Sequence, residues 1–96
     1  MNIEEKNEPS DDELLQEYRK LLEDETNRDI LFILNETDSL SAGDIVKQLN
    51  ISANSGMMHI LELKKAGLVE KTINPPNYNI DKEIFALVKE QFNDLF

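Results

Sequence analysis

The stretch Ser41–Gly67, SAGDIVKQLNISANSGMMHILELKKAG, holds two helix starts with almost no chain between them. Ser41 stands three residues before Asp44, and the inward positions Ile45, Val46 and Leu49 follow at helical spacing. Ser52 stands three residues before Ser55, and a further helix runs from there to about Lys65, where Ala66-Gly67 stops it. Only Asn50 and Ile51 separate the two elements. A connection that short sets the second helix at a steep angle to the first.

Working outward, Ser10 with Glu13 opens a helix bearing Leu14, Leu15, Tyr18, Leu21 and Leu22 on one face. Thr26 with Asp29 opens the apolar run Ile30, Leu31, Phe32, Ile33, Leu34. Beyond Gly67 the period changes. Leu68 to Ile73 alternates as a strand does, Asn74-Pro75-Pro76-Asn77 is turn chemistry, and Tyr78 to Ile80 reads as a short returning strand. Asp81 then caps a last helix with Ile84, Phe85, Val88, Phe92 and Leu95 at helical spacing. The order helix, helix, helix, helix, hairpin, helix predicts a mainly α chain with a small β-hairpin, a winged helix-turn-helix. Residues 10–96 form this one domain, and residues 1–9 are expected to be an acidic, disordered leader.

Ninety-six residues with 40% hydrophobic side chains suffice for a modest core, one that a second copy can help to complete. There are no cysteines, which excludes disulfides, thiolate metal sites and cysteine nucleophiles. No apolar run approaches the length of a membrane span and the amino terminus is acidic, so the expected location is cytoplasmic. Net charge is −10, which opposes a chain whose whole surface meets nucleic acid. Residues 1–25 carry ten acids and three bases, so most of the repulsion is concentrated there. His59 is the lone histidine and is expected to be partly buried and structural, since one imidazole does not make a metal site. Asp11-Asp12 and Asp24-Glu25 read as acids favoured by helix dipoles. With no nucleophile and base pair and no phosphate-cradling glycine loop, neither an enzyme nor a cofactor is expected.

Three stretches resemble the ArsR-type winged helix-turn-helix repressors. Leu22 to Leu31, LEDETNRDIL, is similar to the family's helix entry; Leu40 to Leu49, LSAGDIVKQL, to its first helix-turn-helix element; Ile51-Ser52 through Ala66-Gly67-Leu68-Val69 to its recognition helix and the exit into the wing. The resemblance spans residues 12 to 95 and implies a homodimer, built by packing first and last helices together, that binds an operator and represses transcription. Leu14, Leu15, Tyr18, Phe85, Phe92 and Leu95 are the residues it implies at the dimer interface, shared with the chain's own core. The sequence departs from the family pattern at Asn27, Asp29 and Phe32, where arginine is frequent, at Met58, where histidine is, and at the wing tip, where Pro75-Pro76 replaces Arg or Lys. The histidine and carboxylate cluster of the family's metal sensors is also missing, so no metal is expected.

With Ile60 and Leu63 turned to the core, about 100° of rotation per residue puts Asn54, Ser55, Met58, Leu61, Glu62 and Lys65 on the far face and Gly56 inward. On double-stranded DNA, Asn54 suits adenine, Ser55 a phosphate or base edge and Met58 a thymine methyl. Lys47, Lys64 and Lys65 are the candidate phosphate contacts, with Arg28 and Lys71 the other cations near the groove. The leading reading is a homodimeric DNA-binding transcriptional regulator without cofactor. The alternative is a winged helix that has given up DNA and docks a protein partner through Met58 and Leu61, or through its acidic surface.

Overall fold

A computed structural model of the protein describes residues 11–96; the leader and the Ser10 cap lie outside the described residues. Five α-helices and one hairpin follow in the order α1 (Asp11–Leu22), α2 (Glu25–Glu36), α3 (Ala42–Leu49), α4 (Ala53–Lys65), β1 (Glu70–Thr72), β2 (Asn77–Asn79) and α5 (Lys82–Gln91), with a closing 3-10 turn at Asn93–Leu95. Three of the expected caps are in place. Ser41 Oγ accepts from the Asp44 amide at 3.1 Å, Ser52 Oγ from the Ser55 amide at 3.1 Å, and Asp81 from the amides of Glu83 and Ile84 at 2.9 and 3.1 Å.

The start of α2 corrects the reading of Thr26 as its cap. Asp24 takes that position in extended backbone and accepts from the Thr26 amide at 2.9 Å, so Thr26 lies inside the first turn. A carboxylate both satisfies the free amide and complements the helix dipole, which a threonine hydroxyl does not.

The first strand is shorter than the alternation suggested. Gly67 sits at φ +86°, and the amides of Leu68 and Val69 both turn back to the Leu63 carbonyl, at 2.9 and 3.3 Å. Leu68 and Val69 therefore belong to the exit of α4 and are both buried, while Glu70–Thr72 is exposed along its length. The second strand starts one residue earlier than expected, and Glu70, Lys71 and Thr72 pair antiparallel with Asn79, Tyr78 and Asn77. Leu40 adds a bridge on the other side of β2: its amide donates to the Tyr78 carbonyl at 3.0 Å and the Tyr78 amide donates to its carbonyl at 2.7 Å. The wing is thus fixed to the segment that leads into α3. At the other end Phe92 leaves helical geometry at φ −117°, so Phe92 and Leu95 sit beyond α5.

Helix α2 is central, touching α1, α3, α4, α5 and β2. Its Ile30, Leu31 and Leu34 are buried with Leu22, Ile45, Ile60, Leu63, Tyr78, Phe85 and Phe92. Phe85 meets Phe32 and Phe96 edge to face, at centroid distances of 5.8 and 5.9 Å, and Phe32 meets Phe96 at 5.4 Å. Among the described residues no helix is long and apolar enough to cross a membrane.

Arg19 of α1 clasps Asp94 of the closing turn through both terminal guanidinium nitrogens, at 2.6 and 3.4 Å. These hydrogen bonds, and then the charge attraction, raise the Arg19 pKa further, and the same hydrogen bonds hold the Asp94 carboxyl below its ordinary value. Stability from this pair is therefore full above the unfolded-state value of about 3.9 and is lost as pH falls through the lower folded one. Thermal melts between neutral pH and pH about 3 should show wild type losing slightly more stability on acidification than Asp94→Asn. Equal losses in the two proteins would show that the exposed pair contributes nothing.

Candidate nucleic-acid interface

Two local devices aim α4. Asn50 closes α3 in left-handed geometry at φ 56°, a conformation asparagine tolerates, and the Ile51 amide reaches back to the Val46 carbonyl at 3.1 Å. Ser52 then opens α4 at once. Gly56 lies buried against α3, where an added Cβ would stand 2.1 Å from Val46 Cγ1. The two helices approach closely because that position carries no side chain.

With Ile60 and Leu63 buried, α4 presents the face expected of it. Asn54, Glu62 and Lys65 are exposed, Met58 and Leu61 are 55% and 51% exposed, and Ser55 is half-buried beside the Ser52 cap. Lys47 on α3 and Lys64 on α4 are exposed as well, and neither they nor Lys65 make a salt bridge among the described residues. Charge is segregated along the chain: Leu40–Asn79 carries four lysines and three acids, net +1, leaving −11 on the remainder. Lys71 is exposed on β1, its Nζ 5.9 Å from the Tyr78 ring centre.

Arg28 does not join these cations. Its guanidinium donates to the Leu22 carbonyl at 2.7 Å and closes the end of α1, so it is already engaged within the chain.

Asn27, which stands where the family pattern favours arginine, is the one buried polar side chain among the described residues, 2% exposed. Its amide nitrogen donates to the Leu21 carbonyl at 2.8 Å, and its Oδ1 lies 2.9 Å from His59 Nδ1. His59 is mostly buried, as expected, and Asp24 Oδ2 lies 3.9 Å from the same nitrogen. The end of α1, the start of α2 and the middle of α4 are thereby held on one polar chain. An isolated asparagine in a polar helix entry gives no sequence signal of this.

The residues implied at the dimer interface divide. Leu15, Tyr18 and Phe92 line a cleft of about 260 Å³ between α1 and α5, together with Ile84, Leu87 and Val88. Leu14 and Leu95 are half-buried, whereas Phe85 is 3% exposed and is used by the chain's own aromatic cluster. Leu87, 64% exposed, lines the same cleft one helical turn from Ile84, itself 45% exposed, an i+3 spacing that is visible in the sequence. Among the described residues no three His, Asp or Glu side chains are grouped so as to hold a metal ion.

The family profile of the helix-turn-helix domain matches residues 22–72. No curated protein matches the chain. Solved structures do. An ArsR-like transcriptional regulator from Rhodococcus sp. RHA1 superposes with a TM-score of 0.69 at 23% identity, over 85% of this chain and 78% of that one. The homodimeric winged helix-turn-helix DNA-binding domain of a possible ArsR-family transcriptional regulator from Mycobacterium bovis gives 0.72 at 21% identity, over 91% and 90%. HlyU from Vibrio cholerae gives 0.70 at 22%, over 92% and 97%. The chain belongs to the helix-turn-helix domain family, and its fold is the winged arrangement seen in ArsR-type regulators.

Proposed function

We propose that this protein is a homodimeric, ArsR-type DNA-binding regulator that represses transcription by placing α4 in the major groove of a short palindrome. The observation that carries the reading is the segregated charge. A helix-turn-helix and wing of net +1 present three lysines that make no salt bridge among the described residues around an exposed, nearly neutral α4 face, and the rest of the chain holds −11. Asn54, Ser55 and Met58 take base edges, and Lys47, Lys64 and Lys65 take phosphates. Few cations mean modest affinity and a shallow salt dependence, with contact chemistry on α4 supplying the preference.

Dimerisation joins the α1 and α5 faces of two copies. The exposed Leu15, Ile84 and Leu87 on the rim of that cleft support it, as does the similarity to a homodimeric domain of nearly the same length. Two copies then present two α4 helices to successive half-sites about 34 Å apart.

The test is binding to random duplex DNA across a salt series, with stoichiometry measured at saturation. Salt-dependent binding by two chains per site is expected. In Lys64→Glu/Lys65→Glu the affinity should fall for every sequence, and the slope of log K against log salt should drop by about 2. No detectable binding by wild type at low salt would overturn the DNA reading in favour of a protein partner at Met58 and Leu61.

A further inference from the structure

The wing tip has a chemistry that the α4 reading leaves unused. Ile73 is 79% exposed, more than any other large hydrophobic described. It is the first turn residue after β1, followed by Asn74, Pro75, Pro76 and Asn77. The tip is held firmly: Thr72 Oγ1 lies 3.5 Å from the Pro75 carbonyl and 3.3 Å from that of Asn77, and the buried Tyr78 just behind is bonded on both backbone sides of Leu40. Lys71–Ile80 holds one cation and no carboxylate, in a chain with 20 acids in 96 residues.

A rigid, acid-free tip that combines an exposed branched apolar residue, two prolines and two amides matches what enters a minor groove. There the bases offer adenine N3 and thymine O2 as acceptors, which the Asn74 and Asn77 amides can satisfy without arginine. An isoleucine pressed between two base pairs buries its apolar surface against the exposed base faces and opens the step. A protein partner fits less well, because one isoleucine is far short of the clustered anchors that a stable protein interface buries.

We propose that the wing tip is an apolar wedge, with Ile73 entering a base step in the minor groove of A·T-rich duplex and Asn77 reading the adjoining acceptors. This rests on the DNA-binding reading above. It puts an unstacking contact where the tip lacks a cation, so the tip contributes bending and flank preference in place of phosphate attraction.

The experiment selects duplexes from a random pool with the full-length wild-type protein, then labels both ends of a selected duplex and measures energy transfer on binding. Wild type should bend the duplex by about 20–90° and should enrich A·T pairs in the flanks of its site. Ile73→Ala should abolish most of the bend and the flank enrichment and should weaken binding roughly tenfold with an unchanged salt slope, since no charge is altered. Ile73→Met should retain the bend. Because the residue is exposed, thermal midpoints of both variants should match wild type. An unbent wild-type complex, or equal bending and affinity in Ile73→Ala, would overturn the wedge alone. Failure of wild type to bind any duplex would overturn the wedge and the DNA reading together.

Discussion

Gly56→Val is expected to remove about 3 kcal/mol or more of folding stability by forcing α3 and α4 apart. An added Cβ alone would stand 2.1 Å from Val46 Cγ1, far inside van der Waals contact, and valine adds two further methyl groups. Val46 has little room to yield, because a β-branched side chain in a helix is held to one rotamer. Gly56→Ala sets two effects against each other. Alanine gains about 1 kcal/mol of helix propensity, while overpacking costs typically 1–3 kcal/mol. At 2.1 Å the clash should win, giving a net loss. Chemical denaturation of Gly56→Ala, Val46→Ala and the double variant checks this. Removing Val46 Cγ1 should recover part of the loss, so the double variant should be more stable than the summed single effects predict, by about 0.5–3 kcal/mol. A Gly56→Ala protein more stable than wild type would show that the interface is not tight. Any shift of α4 also moves Asn54 and Met58, so DNA affinity should fall in Gly56→Ala under conditions where the protein is still folded.

Asn27→Ala is expected to cost about 2–4 kcal/mol, the sum of unsatisfied polar groups and a small cavity. The orientation of the amide fixes the chemistry. Its nitrogen donates to the Leu21 carbonyl, so Oδ1 faces His59, and His59 Nδ1 must carry the hydrogen that it donates. Truncation leaves that buried donor without its acceptor, and the Leu21 carbonyl keeps only a longer bond from the Asp24 amide at 3.3 Å. A double-mutant cycle of Asn27→Ala with His59→Ala, read by urea denaturation, should show the pair losing less than the sum of the single effects. A loss below about 0.5 kcal/mol for Asn27→Ala would place it among ordinary surface changes and remove the polar chain from the account of how α4 is held.

The caps at Ser41, Ser52 and Asp81 involve a side chain and an amide no more than three residues apart, so sequence spacing alone identifies them. Thr26 was displaced by Asp24 because two acceptors competed for the same helix start, and the order of their strengths is not a matter of spacing. Leu68 and Val69 followed an alternating pattern yet folded into the exit of α4, since a left-handed Gly67 returned both amides to Leu63.

By itself the sequence determined the element order, the inward position of Gly56 and the outward face of α4, because helical rotation and capping act within a few residues. Only the tertiary structure decided which groups are already engaged. Asn27 and His59, 32 positions apart, became one polar chain. Arg28 was engaged by the Leu22 carbonyl, Leu40 became a neighbour of the wing, and Phe85 went to an aromatic cluster while Leu87 remained outside. Periodicity states which face of an element is apolar or charged; which partner covers that face depends on contacts between distant segments that exist only once the chain has folded.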